Sequence, residues 1–152
     1  AKIPVGVATT PVEVTDIFAT VAEAIGQPLG EQDAPDSFSF YSILRDVKTG
    51  RTQRQILVHH STRGMFAVRE GDWKYAERRG SGGFTQLPMV KPKEGEATAQ
   101  LYNIGSDSQE TKNVFLEYPE RAAHFEELLR RIKASESLRL EFTPAVPAAK
   151  GE

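Results

Sequence analysis

The chain has 152 residues, 39% of them hydrophobic and 26% charged, with a net charge of −2 and no cysteine. That composition suits one globular domain, or a domain with an attached piece, and excludes wholesale disorder; no apolar run approaches the roughly 18 residues of a membrane helix. Without cysteine there are no disulfides, thiolate catalysis, thiolate-bound zinc or iron–sulfur clusters, and the near-neutral charge balance argues against a nucleic-acid partner.

The opening Ala1-Lys2-Ile3-Pro4-Val5-Gly6 has no initiating Met and no charged-then-apolar leader, and reads as the middle of a longer sequence. The first predicted helix runs from Val14 to Gly26. Ile17, Phe18, Val21 and Ile25 recur at helical spacing and form one apolar stripe. Thr15 or Asp16 is placed to cap it, and Gly26, with Pro28 shortly after, to end it. The forty residues that follow offer little to cover the stripe. Residues 26–40 are rich in Gly, Pro, Asp and Ser and read as loop, Phe40, Tyr41, Ile43 and Leu44 add one short helical turn, and Lys48-Thr49-Gly50-Arg51 is turn-like.

After residue 54 the hydrophobic period falls to two. Gln55–His60, Gly64–Arg69 and Trp73–Glu77 read as strands, with Phe66 and Val68, then Trp73 and Tyr75, on one buried face and Gly71 in the turn between them. Gln100–Ile104 predicts a further strand. Residues 78–99 form a long loop with Gly80, Gly82 and Gly83, of a length that tends to be functional or mobile. A second helix is predicted from Pro119 to Ser135, with Phe125, Leu128, Leu129 and Ile132 as its stripe and Glu126/Arg130 and Glu127/Arg131 as i,i+4 pairs. From Leu138 onward the pattern is aperiodic and reads as a trailing tail. The fold class is α+β: a small antiparallel sheet of three to four strands on a C-terminal helix, with an N-terminal helix-and-loop arm.

Chemistry-bearing residues are few. His59 and His60 are adjacent on a strand and point to opposite faces, so they do not share a metal ion, and no His-Glu-x-x-His spacing exists. One of them facing a ligand at a strand end competes with one packed and one solvated imidazole. Ser61 beside a histidine suggests a nucleophile and base but lacks a nucleophile-elbow frame. Gly80-Ser81-Gly82-Gly83 lacks the phosphate-loop pattern. Arg63, Arg69, Lys74, Arg78 and Arg79 make this region basic, either as ordinary solvated charges on a half-buried sheet or as a mouth attracting an anionic substrate. Asp107–Asn113 lacks the glycine and terminal glutamate of a calcium loop and reads as an Asx-type turn.

In order along the chain, several segments resemble the C-terminal end of the type I, formylglycine-dependent sulfatases. Lys2-Ile3-Pro4-Val5-Gly6 is similar to that family's P-G-x-I-P-x-G. Asp16-Ile17-Phe18-Ala19-Thr20 is similar to D-x-x-P-T with Ala19 where Pro is common, and Asp36-Ser37-Phe38-Ser39-Phe40 to D-G-x-S-L with Ser37 for Gly. His59-His60-Ser61 followed by Arg69-Glu70-Gly71-Asp72-Trp73-Lys74 resembles the R-x-G-x-W-K hairpin. Leu101-Tyr102-Asn103-Ile104 resembles L-Y-D-L, Asp107–Asn113 resembles D-P-x-E-x-x-N, and Tyr118-Pro119-Glu120 leads the last helix.

The resemblance implies a division into residues 1–50, the tail end of a catalytic α/β domain; 51–137, the C-terminal subdomain; and 138–152, an extended tail. It implies a parent enzyme hydrolysing sulfate esters, of a sulfated carbohydrate or small molecule, with its formylglycine and calcium upstream. This chain has no Cys and no Ser-x-Pro-Ser-Arg, so no catalytic or metal-binding residue is expected here, no cofactor in this chain, and no turnover by the chain alone. His59, His60 and Arg63 would contact the organic part of the substrate, and Trp73 would lie in the core of the small sheet. The partner would be the N-terminal catalytic portion, with no membrane partner, and the location periplasmic or secreted. The alternative is a stand-alone binding module that has kept only the accessory fold. It would cover Phe18, Val21 and Ile25 with its own residues, whereas a fragment would expose them. An independent hydrolase using Ser61 and His60 is the third reading.

Overall fold

The computed structural model describes residues 3–85 and 87–142, except the side chain of Leu140. Their elements are α1 (Asp16–Ala24), α2 (Tyr41–Arg45), β1 (Ile56–His60), β2 (Phe66–Glu70), β3 (Trp73–Ala76), β4 (Gln100–Asn103), α3 (Pro119–Ala134) and α4 (Leu138–Phe142). They form two compact units, one from the described residues of Ala1–Gln55 and Ser135–Glu152, the other from Ile56–Ala134. The expected tail therefore begins with a helical turn, α4. Residues 143–152 lie outside the described residues.

In the first unit α1 is turned opposite to its hydrophobic pattern. Asp16, Ala19, Thr20 and Ala22 are buried, whereas Ile17, Phe18, Val21 and Ile25 are 53%, 59%, 51% and 66% exposed. The buried face is held by polar contacts. Asp16 is fully buried and accepts from Glu13 N (2.9 Å), Phe38 N (2.9 Å) and Arg54 Nε (2.7 Å), with Arg54 Nη2 on its second oxygen. Arg54 also reaches the Asp36 carbonyl (2.7 Å) and Glu13 Oε2 (2.8 Å), and stacks over Phe38 at 4.6 Å. Neither expected cap is made by a side chain. Thr15 holds the cap position in helical geometry without a side-chain bond, and the Asp16 carboxylate is committed to Arg54. Gly26 does end the helix. Its φ of +71° allows Gly26 N to reach Glu23 O (3.1 Å) and Gln27 N to reach Ala22 O (2.9 Å), the Schellman pair.

Ser37 and Thr20 stitch the following loop to α1. Ser37 Oγ donates to Thr15 O (2.7 Å) and accepts from Ala19 N (2.9 Å); Thr20 Oγ1 donates to Asp16 O (2.7 Å) and accepts from Phe40 N (3.1 Å). Arg139 at α4 donates to the carbonyls of Gly30 (2.6 Å) and Asp33 (2.9 Å), tying the last helix into this unit.

The second unit is a four-stranded antiparallel meander, β1-β2-β3-β4. Val58, Val68, Tyr75 and Leu101 stand in register across it. Val68 and Leu101 are fully buried, Tyr75 nearly so. From α3, Ala122, Phe125, Leu128, Leu129 and Ile132 are buried, and the Phe125 ring stacks on Tyr75 at 6.1 Å. Burying Phe125 contributes about 1.5–3 kcal/mol. Burial pushes the Tyr75 phenol up to about 12, helped by Glu126 and Glu77. On α3, Arg130 pairs with Glu127 (2.6 and 2.7 Å) rather than with the expected Glu126. Trp73 is half-buried rather than in the core, because it sits at the margin of the sheet with Arg121 over its ring at 4.3 Å and Tyr118 edge-on at 5.2 Å.

Asn113 closes the β4 edge. Its Oδ1 accepts from Leu101 N (3.0 Å) and Phe115 N (3.1 Å), and its Nδ2 donates to Ala99 O (2.9 Å). Asp107 builds the turn before it, accepting from Lys112 N (2.9 Å) and Thr111 Oγ1 (3.0 Å), as the Asx reading anticipates.

Candidate functional site

Strand pairing decides where the two histidines go. His59 stands opposite Ala67 and shares its row with Ala76 and Gln100; His60 stands opposite Phe66 on the face packed by α3. The His60 ring lies 5.6 Å from the Phe66 ring, and its Nδ1 is 3.0 Å from the Ser61 carbonyl. His59 is solvent-facing near Lys74 and Glu110, whose own ion pair is 2.7 Å. Partial burial, then the Lys74 charge, hold its pKa below the ordinary value of 6.5, so it is neutral at physiological pH.

Arg63 follows the two histidines by three residues, past the end of β1. It belongs to the turn Ser61–Met65, and its amide donates to Gly82 O at 3.3 Å. His59, His60 and Arg63 therefore share one end of the hairpin without converging on a single point. Ser61 is a turn builder: its Oγ accepts from Met65 N (3.1 Å) and Arg63 N (3.3 Å), and no imidazole reaches the hydroxyl. Ser61 and His60 are therefore not paired as nucleophile and base. A general base must lie within hydrogen-bond reach of its nucleophile, and His60 is turned to the carbonyl instead.

The long loop packs on this turn. Arg79 bridges Val90, Ser81 N donates to Leu87 O (3.2 Å) and Gly82 N to Pro88 O (2.8 Å). Gln100 fixes the loop base by donating to the carbonyls of Arg78 (2.7 Å) and Gly80 (3.0 Å). Gly82, with φ +63°, is buried against Ser61 and Met65, where an added Cβ would fall 2.7 Å from the Ser61 hydroxyl and the Met65 methyl. The glycines thus allow close approach of loop to turn, while Phe84 is left 95% exposed.

Among the described residues no group of three His, Asp or Glu side chains could hold a metal ion. No helix of the described residues is long and apolar enough to cross a membrane. The second candidate surface is the exposed stripe of α1, continued into a groove with Pro28 and Leu29. The Arg54–Asp16 cluster beneath it has no local sequence signal, since its partners lie 38 residues apart.

No family model matches the chain. Sequence and fold together identify a region of the sulfatase family, its C-terminal portion. The chain is 31% identical over 121 residues to the N-acetylgalactosamine-6-O-sulfatase of Bacteroides thetaiotaomicron, covering 78% of this chain and 22% of that protein. It also superposes with a TM-score of 0.64 and 29% identity on a solved structure from work on the metabolism of multiple glycosaminoglycans by Bacteroides thetaiotaomicron, covering 79% of this chain and 24% of that one. The same fold, at 16% identity and a TM-score of 0.53, occurs in a protein solved with its substrate D-glucosamine-2-N,6-O-disulfate, over 78% of this chain and 23% of that one. The chain thus spans about a fifth to a quarter of the proteins it matches.

Proposed function

We propose that this chain is the C-terminal portion of an enzyme that hydrolyses sulfate esters of a sulfated glycan, and that it contributes a wall of the substrate pocket rather than the attacking group. One observation carries this reading: α1 presents Ile17, Phe18, Val21 and Ile25 to solvent while burying Asp16 and Thr20. An autonomous module would cover that stripe with its own residues; here it waits for the catalytic portion, the partner the chain's partial coverage of its relatives supports. The formylglycine and calcium would belong to that portion, consistent with the lack of Cys and of Ser-x-Pro-Ser-Arg. His59, as a neutral imidazole, would hydrogen-bond a sugar hydroxyl, Arg63 would face an anionic group, and His60 would line the packed side of the same hairpin end. A Bacteroides relative and a glycan substrate suit a periplasmic or secreted location.

The test is to extend the reading frame upstream and assay the whole translated product with N-acetylgalactosamine 6-sulfate. Sulfate release by the whole product, a C/S-x-P-S-R motif upstream, and no release by residues 1–152 alone are expected. Turnover of an aryl sulfate by residues 1–152 alone, or an upstream sequence without that motif, would overturn the reading.

A further inference from the structure

The long loop 78–99 gathers its four cations, Arg78, Arg79, Lys91 and Lys93, ahead of its two acids, Glu94 and Glu96, in a protein whose net charge is −2. Arg79 is neutralised by Glu96, which also accepts from Lys93 N. The side chains of Arg78, Lys91 and Lys93 are in no hydrogen bond or ion pair among the described residues, and neither is that of Arg63 in the adjoining turn. Glu77, beside Arg78, pairs with Lys133, and the Arg78 charge also helps hold its carboxyl below the ordinary range.

The antiparallel bridge Arg79↔Val90 sets Arg78 and Lys91 opposite each other at the loop base. Two like charges facing across a bridge repel, and an anion between them relieves that repulsion. The base is held in place by Gln100, whose amide clasps the Arg78 and Gly80 carbonyls and whose Oε1 accepts from Tyr102 Oη at 2.8 Å. Beyond it, Phe84, Leu87 and Met89 are exposed. A charged base topped by an exposed aromatic matches a polyanionic sugar chain: sulfates or carboxylates meet the cations, and the apolar face of a pyranose meets the ring.

We infer that Arg78, Phe84, Lys91 and Lys93 of the long loop, with Arg63 of the neighbouring turn, form a binding surface for the chain of a sulfated glycan. The preference for a glycan over other polyanions rests on the sulfatase reading above; the surface itself rests on the charges and the fold. It would engage the sugars beyond the one being hydrolysed and so favour long substrates over single sugars.

The experiment titrates the 152-residue chain with a sulfated chondroitin hexasaccharide, its unsulfated counterpart, and a DNA oligonucleotide of matched charge. The sulfated sugar is expected to bind most tightly, more weakly as salt rises. The double variant R78Q/K91Q removes two exposed charges, and its affinity should fall at least about tenfold with unchanged circular dichroism. F84A should weaken binding severalfold while leaving the salt dependence as it was. Equal binding of sulfated and unsulfated sugars, or an unaffected R78Q/K91Q variant, would overturn the inference. DNA binding as tight as the glycan would overturn it in favour of a general polyanion surface. Glycan binding without sulfate release by the whole product would sink the sulfatase reading alone; sulfate release without glycan binding would sink the loop alone.

Discussion

Arg54 shows how one side chain organises a region that has little apolar surface to bury. Its guanidinium satisfies Asp16, Glu13 and the Asp36 carbonyl at once. Truncating it leaves a buried carboxylate uncompensated, so Arg54→Ala should cost about 3–5 kcal/mol in urea unfolding of the first unit. Arg54→Lys should recover little of that, because a point charge does not replace the fork on Asp16. The departures at 19 and 37 from the family pattern explain each other. Where the pattern has Pro and Gly, this chain has an Ala19 amide and a Ser37 hydroxyl that bond at 2.9 Å. Proline at 19 falls in the first turn and has no amide to satisfy. Ser37→Gly should therefore destabilise by about 1–3 kcal/mol, through the unpaired buried Ala19 N–H. Adding Ala19→Pro should restore much of the loss, a coupling that a double-mutant cycle measures directly.

At the scale of the element, α1 separates stability from assembly. Its apolar stripe is more than half exposed and gives this chain little burial, so Phe18→Ser and Val21→Ser should each change unfolding stability by no more than about 1 kcal/mol. In the whole translated product the same changes should lower sulfate release or yield; a fully active F18S/V21S product would remove the assembly role. Phe125 on α3 is the opposite case. Fully buried against Tyr75, its replacement by Ala should cost about 3–5 kcal/mol in the second unit. The meander protects its β4 edge with Asn113 rather than with charge, a polar plug that spares the strand an open ladder.

The molecule as a whole should lose stability toward both acid and base. His59 has a lowered pKa, so the folded chain binds fewer protons than the unfolded one once pH falls below 6.5. Stability is full above that value and declines as pH falls toward the folded pKa. Glu77 adds a second loss below its ordinary 4.5: burial alone would raise its pKa, but the Lys133 hydrogen bond and the Phe66 amide outweigh burial and hold it down. On the alkaline side Tyr75 acts with the opposite sign. Its folded pKa is raised, so stability is intact below 10 and is lost as pH rises toward about 12. Urea midpoints measured across pH should show both limbs. His59→Gln should flatten the mildly acidic part, and Tyr75→Phe the alkaline part; a pH-independent midpoint would contradict these linkages.

The sequence by itself determined the elements and their order up to α3, while α4, read as tail, has too short a run to carry a period. Period-two alternation at Phe66–Arg69 and Trp73–Tyr75, the stripe of Phe125 to Ile132, and Gly26 and Gly71 at their turns are local signals that survive in the fold because each encodes its own burial or backbone conformation. Even the helical period of α1 was legible, although its periodicity does not say which face meets this chain and which a partner. Only the tertiary structure decided the rest. It put Asp16 inward through an arginine 38 residues away, chose His60 rather than His59 for the face packed by α3, gave the Ser61 hydroxyl to a turn, and set loop cations 78 and 91 beside one bridge. Those outcomes depend on pairing between distant residues, where hydrogen-bond satisfaction and charge are settled by register and packing, and no local pattern carries that information.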